Sequence, residues 1–371
     1  MAVIPTLFCC VCSKSCTPYE KRLNVKKIVV LLSRNHGSNQ QLLSIAKYLY
    51  RDFQLEEVHV SLFSHAPPLF PLYHGIIRLS KRLGSNHPVT KCLKRLVLRA
   101  RPLSLTCSDI VLAKTGRYEF PAQLLAAGSG ARTIYLGQPR RMNSKAFDCL
   151  VATPSTPADP ATIFLETLPT SFTYEAFQKS SSARADKKLW VMLLGGNARG
   201  YTYTDQSWSA LAQAMLDLAK AHQIRWRISS SPRTGCPAES LIKQIFAQNP
   251  GYLESFICWG DNQRKSVMDC LCHADMAFVT EDSASMLCEA VNSRLPTIAI
   301  RPDNADHNNL TTPLAVYHHQ KGSLLRTTCG QLATIDLHHW RTTQFTALRQ
   351  CWTTQWQHQE NRALTHKIQG I

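Results

Sequence analysis

Short apolar runs alternate with polar loops and amphipathic stretches along much of the chain. Lys26–Leu32 contains an uninterrupted apolar run and predicts a buried strand, and the polar loop at 33–39 that follows contains the glycine and asparagine typical of a tight turn. Apolar residues in Leu42–Leu49 recur near the helical period, and Glu57–Phe63 predicts the next strand. A strand, loop, helix and strand in this order predict a parallel α/β sheet.

The same pattern restarts after a polar, serine-containing stretch at 178–188. It predicts further strands at Leu189–Leu194, Ile224–Ser229, Met276–Thr280 and Thr297–Ile300, with helices at Trp208–Ala221, Ser283–Asn292 and Gln344–Lys367. The chain therefore reads as two successive Rossmann-like α/β domains. The predicted boundaries are an irregular tail at 1–24, a first domain at 25–177, a second domain at 186–330 and a C-terminal helical segment at 331–371.

The composition is that of a globular protein without a membrane-spanning segment. The 371 residues are 44% hydrophobic and 18% charged, and no apolar run approaches the roughly 18 residues that a spanning helix needs. The N-terminus lacks the basic region and cleavage pattern of a signal peptide, so we expect a cytoplasmic protein with reduced cysteines. The cysteines of the tail do not have the spacing typical of zinc sites, and we expect no metal there; they are Cys9, Cys10, Cys12 and Cys16.

A net charge of +17 favours anionic partners, and one segment concentrates the positive charge. Between Glu57 and Asp109 there is no acidic residue, whereas eight basic residues are interleaved with apolar ones. Such a basic amphipathic segment predicts peripheral binding to an anionic membrane surface at the inner face of the cytoplasmic membrane. Nucleic acid is the alternative partner, disfavoured because stacking aromatic residues are absent, and a solvated helix face is the third possibility. The eight residues are Arg78, Lys81, Arg82, Lys91, Lys94, Arg95, Arg99 and Arg101.

Small polar residues follow three predicted strands of the second half, where parallel sheets bind ligands. Gly195–Asn197 could let a ligand approach backbone amides, Ser231–Thr234 adds a cation, and Thr280–Met286 opens a helix whose free N–H groups favour a phosphate. Glu289, further along that helix, could accept ribose hydroxyls, although ordinary helix capping is the alternative for this loop. We therefore expect a nucleoside-diphosphate site formed by Gly195, Gly196, Asn197, Ser231, Arg233, Thr234, Thr280, Glu281, Asp282, Ser283, Ser285, Met286 and Glu289.

Motifs of other nucleotide-binding and hydrolytic classes are absent from the sequence. It has no phosphate-binding P-loop, no G-x-S-x-G and no H-E-x-x-H. The only G-x-G, at 128–130, lacks the third glycine of the dinucleotide fingerprint. Adjacent histidines such as His318 and His319 point in different directions and rarely bind one ion together, so we predict no metal site and no cofactor.

Several of these loops occur in the order found in one known family. The segment from Val279 to Ala290, VTEDSxSMxxEA, is the most specific; Leu194–Gly196, Ser231–Thr234 and elements of the first half accompany it. They resemble the Elm-type mitochondrial fission family, whose bacterial members are often labelled nucleoside-diphosphate-sugar epimerases. The resemblance covers most of residues 25–305.

The resemblance implies a GT-B-like pair of domains with an interdomain cleft, similar to glycosyltransferases that use nucleotide sugars. By this analogy Arg233, Ser283 and Ser285 would hold the diphosphate and Glu289 the ribose, without a metal. The acceptor would bind to the first domain and be a lipid-linked or cell-envelope molecule.

Transfer with inversion needs a base that deprotonates an acceptor hydroxyl. His36 at the end of the first strand is the first candidate, because its pKa lies near neutrality, and Glu119 is the second. Two alternatives remain open at the level of sequence: a nucleoside-diphosphate-sugar epimerase, and a non-catalytic membrane adaptor that keeps the fold and the basic segment.

Overall fold

The computed structural model describes residues 27–33, 36–49, 54–60, 66–98, 103–114, 116–153, 162–168, 188–198, 200–263, 265–305 and 312–340, without the side chains of residues 36, 48, 49 and 338. The predicted tail at 1–24, the polar stretch before the second half and the predicted helix Gln344–Lys367 lie outside these ranges. No helix among the described residues is both long and apolar enough to cross a bilayer.

The first half forms a six-stranded parallel sheet in the order β2-β1-β3-β4-β5-β6. Strand β1 lies between β2 and β3 and is buried almost throughout, which explains its continuous apolar run. The strands are β1 (Lys27–Leu32), β2 (Gln54–His59), β3 (Ile110–Lys114), β4 (Arg132–Leu136), β5 (Cys149–Ala152) and β6 (Thr162–Phe164). The helices are α1 (His36–Leu49), α2 (Phe70–Leu83), α3 (Pro88–Leu98) and α4 (Glu119–Ala126).

The second half forms another six-stranded parallel sheet, in the order β12-β11-β10-β7-β8-β9. Its strands are β7 (Leu189–Leu193), β8 (Arg225–Ser229), β9 (Leu253–Ile257), β10 (Met276–Thr280), β11 (Thr297–Arg301) and β12 (Leu325–Thr328). Its helices are α5 (Asp205–His222), α6 (Cys236–Ala247), α7 (Val267–Leu271), α8 (Ala284–Asn292), α9 (Thr312–Gln320) and α10 (Leu337–His339). The two sheets confirm the predicted pair of Rossmann-like domains, whereas the domain limits remain predictions.

Strand β2 differs from the sequence prediction, and the basic segment has helix limits that the pattern did not predict. Strand β2 begins three residues earlier than Glu57 and ends at His59, because it is a largely exposed edge strand whose polar residues hide it from a search for apolar runs. The basic segment is two helices, since Gly84 adopts a φ of 86° after α2 and the chain turns there before α3 begins.

The two domains meet at the carboxyl edges of their sheets. Helix α1, which follows β1, packs against α8, which follows β10, and their apolar side chains belong to one buried cluster. The Thr167 hydroxyl donates to the Asn292 Oδ1 at 2.8 Å, and the Leu168 N–H donates to the Cys288 Sγ at 3.3 Å. The loops that follow the strands of both sheets therefore border one interdomain cleft, as in the GT-B fold.

Candidate functional site

The strand order of the second sheet places two predicted loops side by side. Strand β7 lies between β8 and β10. Strands β8 and β9 are added on one side of β7 and β10 to β12 on the other, so the strand order reverses between β7 and β10. Ligands of open parallel sheets bind at such a reversal, beyond the carboxyl ends of the strands. The loops that follow β7 and β10 are Leu194–Asn197 and Glu281–Ser283.

Gly195 and Gly196 are required by the contact between these loops, and not by the approach of a ligand. The Gly195 N–H donates to the Thr280 Oγ1 at 2.6 Å, and the Gly196 N–H donates to the Asp282 Oδ2 at 3.1 Å. A Cβ on Gly195 would overlap the Asp282 carboxylate, and one on Gly196 would overlap the backbone at Arg233. Both amides are therefore hydrogen-bonded inside the protein, and the prediction that a ligand approaches this loop stays a prediction.

The turn after β8 is fastened to the same loop by its hydroxyl groups. The Ser231 Oγ donates to the Gly195 carbonyl at 2.8 Å, and the Thr234 Oγ1 donates to the Leu194 carbonyl at 3.1 Å. These two side chains are buried and support the turn. Arg233, at the tip of the turn, keeps 41% of its side chain exposed and extends the guanidinium group toward the site.

Asp282 anchors that guanidinium group. The Arg233 Nη2 lies 2.6 Å from the Asp282 Oδ2, and the aspartate side chain is fully buried. Burial raises the pKa of Asp282 to about 6, and the Arg233 charge opposes this rise. Asp282 thus orients Arg233 and the loop at Gly196, and it does not cap helix α8.

Glu281 has a structural role that the sequence did not suggest. Its buried carboxylate forms a bidentate ion pair with Arg326 of β12, at 2.7 and 2.8 Å, and it accepts a hydrogen bond from the Tyr201 hydroxyl at 2.9 Å. The carboxylate is saturated by protein groups and turned away from solvent. The geometry therefore does not favour the predicted contact of Glu281 with a nucleotide, which stays a prediction.

The N-terminus of α8 has the features expected for an anion site. Ser283 is its N-cap residue, but the Ser283 side chain makes no capping hydrogen bond and lies 3.5 Å from the Ser285 hydroxyl. The N–H groups of the first turn lack that cap, and together with the helix dipole they favour a negative charge. Met286, half-buried in the same turn, packs against the core beneath.

Glu289 and Asn197 border this helix end and the neighbouring loop. Glu289 is half-buried on α8, and burial raises the pKa of its carboxyl to about 7. Asn197 is exposed, and its Oδ1 accepts a hydrogen bond from the Tyr203 N–H at 2.7 Å. Of the predicted polar residues, Arg233, Ser285, Glu289 and Asn197 keep exposed side-chain surface, whereas the side chain of Ser283 is buried.

The two candidate bases differ in position. His36 begins α1, the helix that follows β1, but its side chain lies outside the described part, so its role remains a prediction. Glu119 is buried and accepts hydrogen bonds from the backbone N–H groups of Arg140, Arg141 and Met142 at 2.7–2.8 Å. Glu119 therefore shapes the loop after β4, and its carboxylate is not available to an acceptor hydroxyl.

Lys114 is a cleft residue that sequence reasoning missed. It is the last residue of β3, which lies beside β1 at the point where the strand order of the first sheet reverses. Its Nζ donates to the Gln41 side chain of α1. Burial lowers the pKa of Lys114 to about 8, while the nearby Cys288 of the second domain opposes the change. In the sequence, Lys114 is a single lysine at the end of the apolar run Ile110–Ala113, and nothing in the hydrophobic pattern distinguishes it from other lysines.

The basic segment also needs one correction. Lys94 is half-buried, and its Nζ donates to the carbonyls of Leu125 and Ala127 at 2.9 Å each, so it caps the C-terminus of α4. Burial lowers the pKa of Lys94 to about 8. Arg99 and Arg101 lie outside the described residues, and the remaining five basic side chains are exposed.

Comparison with solved structures supports the assignment of the fold. A UDP-GlcNAc 2-epimerase from Methanocaldococcus jannaschii is 9% identical with a TM-score of 0.52, over 92% of this chain and 98% of the other. A UDP-glucosyltransferase from Polygonum tinctorium, solved with 3,4-dichloroaniline, is 12% identical with a TM-score of 0.51, over 92% and 93% of the two chains. At these identities the likeness concerns the fold alone.

Comparison of the sequence with known families and proteins gives a family but no individual relative. No curated protein matches the chain. The mitochondrial fission ELM1 family matches residues 36–351, which include both sheets except the first strand and all the candidate loops. The chain therefore belongs to the mitochondrial fission ELM1 family.

Proposed function

We propose that this protein is a glycosyltransferase that moves a sugar from a nucleoside-diphosphate sugar to a lipid-linked or cell-envelope acceptor at the cytoplasmic face of the membrane. The observation that carries the proposal is the N-terminus of α8, which lacks a side-chain cap and lies in the same loop cluster as the Arg233 guanidinium. Both features stabilise a diphosphate, and they lie at the sheet reversal where a nucleotide is expected.

The leaving group of the reaction is the nucleoside diphosphate, whose terminal phosphate gains negative charge as it departs. The acceptor hydroxyl oxygen forms a bond to the anomeric carbon, the bond from that carbon to the diphosphate oxygen breaks, and the hydroxyl proton passes to a base. Arg233, Ser283 and the first-turn amides of α8 would stabilise the charge that develops on the diphosphate. His36 is the proposed base, on its position at the carboxyl end of β1.

Glu289 would accept hydrogen bonds from the ribose hydroxyls. Its carboxyl has a pKa raised to about 7 by burial, so a neutral or charged form is accessible near neutrality. Lys114 stands on the opposite side of the cleft, at the end of β3, where it would face the acceptor. The two domains thus supply groups of different chemistry to one cleft.

Calorimetric titration with UDP, GDP and UDP-sugars tests the donor site. We expect micromolar binding to at least one of them, weakened tenfold or more in Arg233→Met and in Glu289→Ala. Arg225→Met is the matched control, because Arg225 forms an exposed ion pair with Glu254 at 2.6 Å in the same domain. A folded protein that binds none of these compounds would contradict the proposal and favour the non-catalytic adaptor.

Product analysis separates the two enzyme classes. A glycosyltransferase releases free nucleoside diphosphate only when an acceptor is present, whereas an epimerase interconverts the sugar and needs no acceptor. His36→Ala should abolish turnover while preserving donor affinity; unchanged turnover would remove His36 from the mechanism.

A further inference from the structure

Exposed apolar side chains are concentrated on helices α2 and α3. Among the described residues, eight large hydrophobic side chains are exposed, and five of them lie on this helix pair. Leu96 is 66% exposed and Leu72 is 56% exposed. A single exposed leucine is ordinary, and the informative feature is their concentration on one helix pair. The five are Leu72, Leu79, Leu83, Val89 and Leu96.

Their spacing groups them on the helix surfaces. Leu72, Leu79 and Leu83 are separated by intervals of seven and four residues, so they share one face of α2. Val89 and Leu96 are seven residues apart and share one face of α3. The buried residues of α2 are different ones, Tyr73, Ile76, Ile77 and Ser80, so the exposed leucines are additional to the set that packs on the core.

Basic side chains accompany this apolar surface. The exposed cations of the two helices form no ion pair with any residue that the structure describes, and the sequence from 58 to 108 contains no carboxylate. The positive charge is therefore not neutralised locally. These residues are Arg78, Lys81, Arg82, Lys91 and Arg95.

An anionic bilayer is the partner that satisfies both properties. Lys and Arg side chains are attracted to an anionic membrane surface, and aliphatic side chains are stabilised when they enter the interface between headgroups and acyl chains. A nucleic acid would use the cations but leave the leucines in water, because aliphatic side chains do not stack on bases as aromatic ones do.

The start of α2 connects this surface to the cleft. The ring centroids of Phe70 and Phe120 are 5.0 Å apart. The Arg141 guanidinium lies over the Phe70 ring, 5.4 Å from its centroid. Arg141 belongs to the loop that follows β4, at the carboxyl edge of the first sheet. A membrane that contacts α2 would therefore lie close to the edge of the sheet that borders the cleft.

We propose that α2 and α3 form a docking surface for an anionic phospholipid bilayer, in which the cations bind the headgroups and the five apolar side chains enter the interface. Docking itself is independent of catalysis, whereas its purpose, delivery of a membrane-borne acceptor to the cleft, rests on the proposed function.

Sedimentation with vesicles tests this surface. The full chain is mixed, without nucleotide, with vesicles of phosphatidylcholine alone or containing roughly 30% phosphatidylglycerol. We expect binding only to the anionic vesicles, weakened at least tenfold in Arg78→Glu/Arg82→Glu and at least tenfold in Leu72→Ser/Leu79→Ser/Leu96→Ser. Thermal unfolding of each variant verifies that it is folded.

Two control variants match the chemistry elsewhere on the surface. Leu55→Ser removes another exposed leucine, and Lys220→Glu reverses an exposed charge on α5; both should bind vesicles as the wild type does. Equal losses in the controls, equal binding to neutral vesicles, or leucine variants that bind normally would overturn the proposal. Donor titration without vesicles is a separate measurement, so failure of one does not imply failure of the other.

Discussion

At the scale of single residues, the acidic side chains of the VTEDS segment have distinct structural roles. Glu281 and Asp282 are adjacent and both buried, yet one pairs with Arg326 inside the second domain and the other with Arg233 at the edge of the site. Successive side chains after a strand point in opposite directions, so adjacent residues face different surroundings. A motif of adjacent acids therefore combines a residue that stabilises the fold with one that positions a partly exposed cation.

Replacing Glu281 should destabilise the protein strongly. Glu281→Gln leaves the Arg326 guanidinium, whose side chain is 15% exposed, without its counter-charge, and we expect the free energy of unfolding to fall by about 3 kcal/mol. Glu254→Gln, which breaks an exposed ion pair with Arg225, should cost less than about 1 kcal/mol. Denaturant unfolding measures both; similar small losses would contradict the structural role of Glu281.

At the scale of elements, the site is a set of loops that fit together because two positions lack a side chain. Gly196, with φ of 147°, allows the loop after β7 to lie against the backbone of the turn that carries Arg233. The turn is then fastened by hydroxyl groups of Ser231 and Thr234 to the carbonyls of the same loop. The position of the cation thus depends on the packing of backbone on backbone.

Adding a methyl group at Gly196 should disturb this fit. In Gly196→Ala the Cβ would lie 2.8 Å from the Thr234 nitrogen and closer still to the Arg233 carbonyl, so the turn must move. We expect a loss of about 1–3 kcal/mol in stability and weaker donor binding. Gly251→Ala is the control, because no atom lies within 4 Å of the added Cβ. If calorimetric titration gave the same donor affinity for the two variants, this account would be refuted.

At the scale of the whole molecule, buried groups connect the domains. His318 of α9 is 1% exposed, and it lies close to the backbone of Glu166, which follows β6 of the first domain. Neither of its ring nitrogens has a hydrogen-bond partner among the described residues. Burial lowers the pKa of His318 to about 4. The neutral imidazole is therefore part of the folded structure, and protonation favours the unfolded chain.

This arrangement predicts a loss of stability in mild acid. Between pH 6.5 and pH 4 the unfolded state binds a proton at residue 318 that the folded state does not, so stability decreases as the pH falls through that window. The full effect is on the order of 3 kcal/mol. In His318→Asn the melting temperature should depend less on pH over this window, whereas His319→Asn, which changes an exposed neighbour, should behave like the wild type. An unchanged pH profile in His318→Asn would contradict the prediction.

The sequence by itself determined the fold class and the loops at the carboxyl edges of the strands, where the ligand site is proposed. Continuous apolar runs such as Ile28–Leu32 identify strands buried on both faces, and polar loops after them identify the carboxyl edge, because both signals are local in the chain. The same local character made the position of Arg233 and of the start of α8 predictable. The edge strand β2 consists mostly of polar, exposed residues, so its sequence signal was weaker and its limits were predicted incorrectly.

Only the tertiary structure decided what each polar side chain does. Glu119, Glu281 and Lys94 resembled functional residues by type and position, but their partners lie 21, 45 and 31 residues away in the chain, at Arg140, Arg326 and Leu125. Lys114 showed the reverse: an ordinary lysine in the sequence becomes a cleft residue once β3 lies beside β1. A hydrogen bond or a buried charge depends on atoms brought together by folding, and a periodicity along the chain carries no information about them.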